Sequence, residues 1–156
     1  MNSNLDFAFE NIDENFLAVS RQWMADPDFR ALIMAEPIDP DAQIKWFEGL
    51  PQMQDYKIWG IRQQNAWIGA FGLKRIRSEL GIAEYWGYIY PKNFRGIGLG
   101  RRMFEKCRVY CRSNGIRTIE LIVSPDNTLA LSAYKKWGFQ EKDRTTDGVL
   151  SMVFLQ

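Results

Sequence analysis

The run Arg95-Gly96-Ile97-Gly98-Leu99-Gly100-Arg101-Arg102 sets three glycines at alternate positions among three arginines. Glycine has no Cβ, so such a turn lets backbone N–H groups crowd around an anion, and a helix starting there adds partial positive charge. The chemistry on offer is phosphate binding. A P-loop would need Lys and then Ser or Thr after its last glycine, where this chain has Arg101 and Arg102. A dinucleotide fingerprint would need its third glycine at the position held by Arg101. Proton chemistry has a separate candidate. Strand alternation puts Glu84 on one face with Trp86, Tyr88 and Tyr90. A carboxylate among aromatic rings is a candidate general base, because desolvation disfavours its charged form. Glu120, on the next strand-like segment, is a second candidate.

The chain contains no histidine, which excludes Ser-His-Asp and Cys-His hydrolases and leaves a carboxylate, tyrosine, lysine, backbone group or water as base. Cys107 and Cys111 lie four apart on one helical face with Met103, Phe104 and Tyr110, and read as buried small hydrophobes. Two thiols without histidine make a poor metal site, so no metal is expected.

Around these residues the elements are legible. A strand over 6–10 precedes a helix capped by Asp13 that runs to about Met24. Asp26-Pro27-Asp28 ends that helix, and a short one covers residues 29–34. Asp39-Pro40 is an N-cap followed by proline at the first helical position, opening a helix that ends at Gly49. Residues 56–62 and 66–76 form a hairpin around Gln63-Gln64-Asn65, and the strand 82–90 leads into the glycine run. A helix over 101–113, a strand over 118–124, a helix over 128–137 closed by Gly138, and strands over 139–142 and 149–155 complete the order. Antiparallel strands followed by a strand–helix–strand unit mean a mixed α/β sheet.

Composition bounds the class. Of 156 residues, 46% are hydrophobic and 25% charged, which suits one globular domain. No run of apolar residues reaches membrane-spanning length. Met1-Asn2-Ser3-Asn4-Leu5-Asp6 lacks the basic and apolar parts of an export signal, so a cytoplasmic location is expected. The net charge of +1 hides an acidic first sixty residues and a basic remainder that contains the glycine run. That field attracts a phosphorylated ligand. No aromatic–basic RNA motif accompanies it, so nucleic acid is not an expected partner.

The glycine run resembles the coenzyme A pyrophosphate loop of the GNAT superfamily of N-acetyltransferases. Downstream, Asn127-x6-Tyr134-x3-Gly138-Phe139 resembles that family's closing motif. The resemblance implies an α/β, single-domain GNAT fold: a mixed central sheet of about seven strands flanked by helices. It implies one domain over 1–156, with acceptor-side helices in 1–55 and an acetyl-CoA-binding core in 56–156. Acetyl-CoA is the implied cosubstrate. Its contacts would come from the backbone of Tyr88, Ile89 and Tyr90, from Arg95, Gly96, Ile97, Gly98, Leu99, Gly100, Arg101 and Arg102, and from Asn127 and Tyr134. In the family the strand carrying Tyr88–Tyr90 has a bulge that opens an edge for the pantetheine arm, and Gly87 is compatible with one. Tyr134 would be the acid that protonates the leaving thiolate, and Glu84 the base or water-positioner.

The acceptor is then a small-molecule primary amine. Arg21-Gln22-Trp23, the Asp26-Pro27-Asp28 turn and the Trp46-Phe47 pair resemble enzymes that acetylate nucleotide-linked 4-amino sugars on the way to pseudaminic acid. The same layout resembles spermidine and ribosomal-protein N-terminal acetyltransferases. Six tryptophans favour a planar or sugar-like acceptor, although Trp23, Trp59 and Trp67 also fit a plain core role. The acidic first half favours a polycation. A coenzyme A-binding sensor is the non-enzymatic alternative, and a homodimer is compatible with either reading.

Overall fold

Three aspartates set the starts of the first three helices. The carboxylate of Asp13 accepts from Phe16 N–H at 2.9 Å and opens α1, Glu14–Trp23. Asp26 accepts from Asp28 and Phe29 N–H at 3.0 and 3.3 Å and opens α2, Pro27–Ile33. Asp39 accepts from Ala42 N–H at 3.0 Å and opens α3, Pro40–Gly49. In α2 and α3 proline holds the first helical position, where its missing N–H is no loss. The second helix thus starts at Pro27, not at Phe29: Asp26-Pro27 both ends α1 and launches α2.

The computed structural model describes residues 6–156; residues 1–5, part of the stretch read for an export signal, lie outside it. Seven strands form one sheet in the order β1-β2-β3-β4-β5-β7-β6. They are β1 Phe7–Glu10, β2 Lys57–Gln63, β3 Ala66–Arg77, β4 Ile82–Ile89, β5 Thr118–Val123, β6 Gln140–Arg144 and β7 Leu150–Leu155. The β4–β5 pair is parallel and the others antiparallel, which is the mixed sheet expected. The crossover between β4 and β5 is α4, Leu99–Ser113, and α5, Thr128–Trp137, follows β5.

The two sheet faces carry two cores. On one, Leu99, Met103, Phe104, Cys107 and Cys111 of α4 pack against Ile61, Phe71, Leu73 and Tyr85, and the flank of α5 joins them. Both cysteines are fully buried among these hydrophobes, as their spacing implies. On the other face, Phe16, Leu17, Trp23 and Phe29 of α1 and α2 pack on Trp67 and Ala70, with Trp86, Tyr88 and Tyr90 against them. Trp23, Trp59 and Trp67 are all buried, so half of the tryptophans serve the core. The strands of the central hairpin approach so closely that a Cβ on Gly72 would sit 1.8 Å from the Lys57 carbonyl oxygen.

One buried polar side chain ties the helical layer together. Gln43 of α3 donates to Ser20 Oγ at 2.9 Å and to the Leu17 carbonyl at 3.3 Å, and accepts from the Arg21 guanidinium at 3.0 Å. Gln43→Met keeps the volume and strands these groups. It is expected to cost about 1–3 kcal/mol of unfolding free energy, read by urea denaturation. A loss within error of zero would show that α1 and α3 are held by apolar packing alone.

Candidate active site

The site begins where two strands stop pairing. β4 and β5 are joined at Ile82↔Thr118, Ala83↔Ile119 and Glu84↔Glu120, and then part. Beyond Glu84, β4 continues to pair with β3 in unbroken register from Lys74↔Glu84 to Gly69↔Ile89. The bulge expected near Gly87 is therefore absent from this pairing; the irregularity lies on β3, between Lys74 and Arg77. Gly87 has a packing reason instead, since a Cβ there would meet Tyr85 Oη at 2.9 Å and Met103 Cε at 3.0 Å. Tyr90 N–H is already bonded to the Ile68 carbonyl at 2.8 Å. Antiparallel alternation then turns the amides of Tyr88 and Trp86 toward β3 and those of Tyr85, Gly87 and Ile89 toward the gap. Of the three backbone contacts expected, the Ile89 amide faces the gap. Gly87 joins it, and Tyr88 and Tyr90 do not.

A cavity of about 520 Å³ runs from this gap to the start of α4. Gly96, Gly98, Gly100 and Arg101 line it at one end, and Asn127, Tyr134 and Trp137 of the α5 segment line its wall. Gly96 and Gly98 hold φ of 74° and 91°, which side-chain-bearing residues rarely adopt. The first intrahelical bond of α4 runs from Arg102 N–H to the Gly98 carbonyl at 3.4 Å. The N–H groups of Leu99, Gly100 and Arg101 precede it and are available to an anion. The Leu99 side chain is buried in the core and that of Ile97 is half exposed, so these two positions offer backbone only.

The arginines divide. Arg101 lines the cavity while its Nε lies 3.4 Å from Glu105. Arg102 turns away, donating to the Phe7 carbonyl at 3.5 Å and lying over the Phe9 ring. Arg95 borders the cavity, but its Nε donates to the Ile89 carbonyl at 2.7 Å and its Nη2 to the Tyr90 carbonyl. It therefore clamps the end of β4, and burial lowers its pKa below the usual arginine value. A phosphate-contacting role for Arg102, expected from its place in the run, does not match its orientation. The glycine turn, the leading N–H groups and Arg101 together suit the pyrophosphate of a coenzyme A, and the long cavity suits its arm.

A second cavity, about 330 Å³, opens on the α1–α3 side. It shares Leu32, Ile33, Tyr85, Gly87, Tyr88, Asn127 and Tyr134 with the first, so the two meet at the gap. Glu84 lies in its wall with the side chain 8% exposed. Lys74 Nζ and Arg75 Nη1 stand 3.9 and 3.5 Å from its Oε2, so the aromatic surround expected from alternation is interrupted by two cations. Glu120 faces elsewhere, holding Lys142 Nζ at 3.1 Å outside both cavities, and its candidacy as base falls away. Asn127 caps α5 by accepting from Ala130 N–H at 3.3 Å, and its Nδ2 reaches the Leu32 carbonyl at 3.4 Å across the junction. Tyr134 sits at that junction against Tyr85, Trp137 and Phe139. Burial pushes its hydroxyl up to about 12, so it keeps its proton at neutral pH.

Sequence reasoning missed Tyr85, Lys74 and Arg75. Tyr85 falls on the face opposite Glu84 by alternation, yet the gap exposes it to both cavities. The available signal was Gly87, two residues on, whose missing side chain leaves room for the Tyr85 hydroxyl.

The family model described as Acetyltransferase (GNAT) family matches residues 19–139. Among curated proteins, an uncharacterized N-acetyltransferase of Methanocaldococcus jannaschii is 36% identical over 72 residues, which cover 46% of this chain and 31% of that one. An uncharacterized N-acetyltransferase of Pyropia yezoensis is 32% identical over 93 residues, covering 59% of this chain and 50% of the relative. The match thus spans 31% and 50% of the length of these two curated relatives. Of solved structures, a spermidine N-acetyltransferase from Vibrio cholerae in complex with CoA and spermine superposes with a TM-score of 0.86 at 18% identity, over 98% of this chain and 97% of that one. A domain from Methanocaldococcus jannaschii gives 0.81 at 14% identity, over 98% and 100%. At these identities the likeness is one of fold, and it confirms the mixed seven-stranded architecture with flanking helices.

Burial raises the pKa of Tyr56, Tyr85, Tyr88 and Tyr134 above the ordinary 10.0. Below that value all four are neutral whether the chain is folded or not. Above it the unfolded chain sheds protons that the folded one retains, so stability is lost as pH rises. Unfolding free energy by urea is expected to fall between about pH 9 and about pH 11, with a shallower fall in Tyr134→Phe. Equal stability at both ends would contradict the burial of these hydroxyls.

Proposed function

The chain belongs to the acetyltransferase (GNAT) family, and on that premise we propose that it moves the acetyl group of acetyl-CoA to a primary amine in a ternary complex. The observation that carries the reading is the meeting of two cavities at the β4–β5 gap, with Tyr134 at the junction and Glu84 in the far wall. Acetyl-CoA supplies the acetyl group as a thioester. The glycine turn and the first N–H groups of α4 hold its pyrophosphate, and the Ile89 amide orients its arm as an added strand would. Glu84 Oε2 takes the proton that the acceptor ammonium must lose to expose its lone pair. Tyr134, which lines both cavities and whose hydroxyl keeps its proton at neutral pH, gives that proton to the leaving sulfur. The amide directed into the gap at Gly87 is placed to stabilise carbonyl charge, a kind of contact worth about 3 kcal/mol when well aligned.

Residues from the first 55 line both cavities. Met24 and Met34 wall the acceptor cavity, but Phe29, Leu32 and Ile33 of α2 line the other as well. For the acceptor, Tyr56, Trp86 and Tyr88 give the cavity ring walls, and Tyr56 stacks on Trp86 with centroids 6.0 Å apart. These favour an amine on a ring or other planar body, an amino sugar among them. The polyamine reading draws on the fold likeness to spermidine acetyltransferases. A single carboxylate among the described residues that line the cavity argues against it, because each ammonium of a polyamine needs its own counter-charge.

Thiol release from acetyl-CoA with a panel of amines tests the activity. Tyr134→Phe keeps the ring and removes the hydroxyl; kcat is expected to fall roughly 10²-fold with acetyl-CoA affinity little changed. Glu84→Gln is expected to lower kcat by a similar order. A Tyr134→Phe enzyme with full kcat would remove that hydroxyl from the mechanism. Gly98→Val forces a branched side chain into φ of 91°. Calorimetry should then show acetyl-CoA binding weakened by about tenfold or more in a chain that remains folded. Unchanged affinity would contradict the pyrophosphate turn.

A further inference from the structure

The acceptor cavity carries more unmet polar groups than a plain amine uses. Among the described residues, Glu84 Oε2 and Trp86 Nε1 are both buried without a hydrogen-bond partner. Buried orphans of this kind are costly, and a ligand with complementary groups relieves them. The two cations at Glu84 are the more telling feature. In a regular strand Lys74 and Arg75 would point to opposite faces. Here β3 is irregular between Lys74 and Arg77, and Arg75 takes a left-handed φ of 50°. A non-glycine residue in that conformation is uncommon and concentrates at functional sites. Its effect is to bring two consecutive cations to one carboxylate oxygen, at 3.9 and 3.5 Å, too far for good hydrogen bonds.

The cavity lining therefore holds one negative charge, Glu84, and one positive, Lys74, and the exposed Arg75 adds a second positive charge beside Glu84 from outside the lining. A polyamine adds further ammonium groups to that surplus. We propose, resting on the acetyl-transfer reading above, that the acceptor is an amine carrying a carboxylate or phosphate a few bonds from its nitrogen. Its ammonium meets Glu84 Oε2, its anion meets Lys74 Nζ and the Arg75 guanidinium, and its body lies against Trp86 and Tyr56. This matches Glu84, Lys74 and Arg75 each with an opposite charge on the ligand.

Matched acceptors test it: phenylalanine against phenethylamine, phosphoethanolamine against ethanolamine, and spermidine. The first pair reads the carboxylate and the second the phosphate. In at least one pair kcat/KM is expected to favour the anionic member by about tenfold or more. Lys74→Met and Arg75→Gly should each cut that ratio about fivefold. Arg75→Gly preserves the left-handed backbone, so a misfolded chain does not mimic the result. Preference for the uncharged members or for spermidine, a ratio unmoved in both variants, or failure of every anionic acceptor to bind or react overturns the proposal. Acetyl-CoA binding with acetylation of spermidine and no preference for anions overturns this inference alone. Loss of acetyl-CoA binding in the native chain overturns the reading beneath it as well.

Discussion

Three residue pairs join β4 to β5, and the rest of the site depends on the pairing ending there. A parallel ladder that continued past Glu84 and Glu120 would satisfy the Gly87 and Ile89 amides and seal the sheet. Because the strands part, those donors face an open gap, and a cavity on one side of the sheet meets a cavity on the other. The larger cavity lies with α4 and α5, and the smaller is walled by Met24, the end of α2 and the Met34–Ala35 segment that follows it.

Aromatic packing keeps the gap from collapsing. Phe104 stacks on Trp137 with centroids 5.5 Å apart and meets Tyr85 edge-on at 5.4 Å, which fixes α4 and α5 against β4. On the opposite face Trp23 stacks on Tyr90 at 5.8 Å and Phe29 meets Tyr88 and Tyr90 edge-on, which seats α1 and α2 over the end of the same strand. Arg95 completes the arrangement by closing on the Ile89 and Tyr90 carbonyls, which ties the glycine turn to the strand end. The charge that looked available for phosphate is in this way used to shape the glycine turn.

What the sequence made legible was local. The helix caps at Asp13 and Asp39, the helices 40–49 and 128–137, and the hairpin around Gln64 are set by residues within a turn of each other, and they fall where expected. Alternation likewise put Glu84, Trp86 and Tyr88 on one face, and all three line the acceptor cavity. What escaped depends on partners distant in sequence. Which β4 amides face the gap follows from register against β3, and the convergence of Lys74 and Arg75 on Glu84 follows from an irregularity in that register. Arg102 reaches β1, nearly a hundred residues upstream, and Glu120 reaches Lys142 on β6. No spacing rule within one segment carries that information.

The claim that organises the structure is that acetyl-CoA pairs with the open edge of β4. Amide hydrogen exchange resolved to single residues reads it directly. On addition of acetyl-CoA, the amides of Gly87 and Ile89 and those of Leu99, Gly100 and Arg101 are expected to slow by about tenfold or more, while Tyr90, already bonded to Ile68, changes little. Unchanged exchange at Gly87 and Ile89, with protection appearing elsewhere on the chain, would contradict the account.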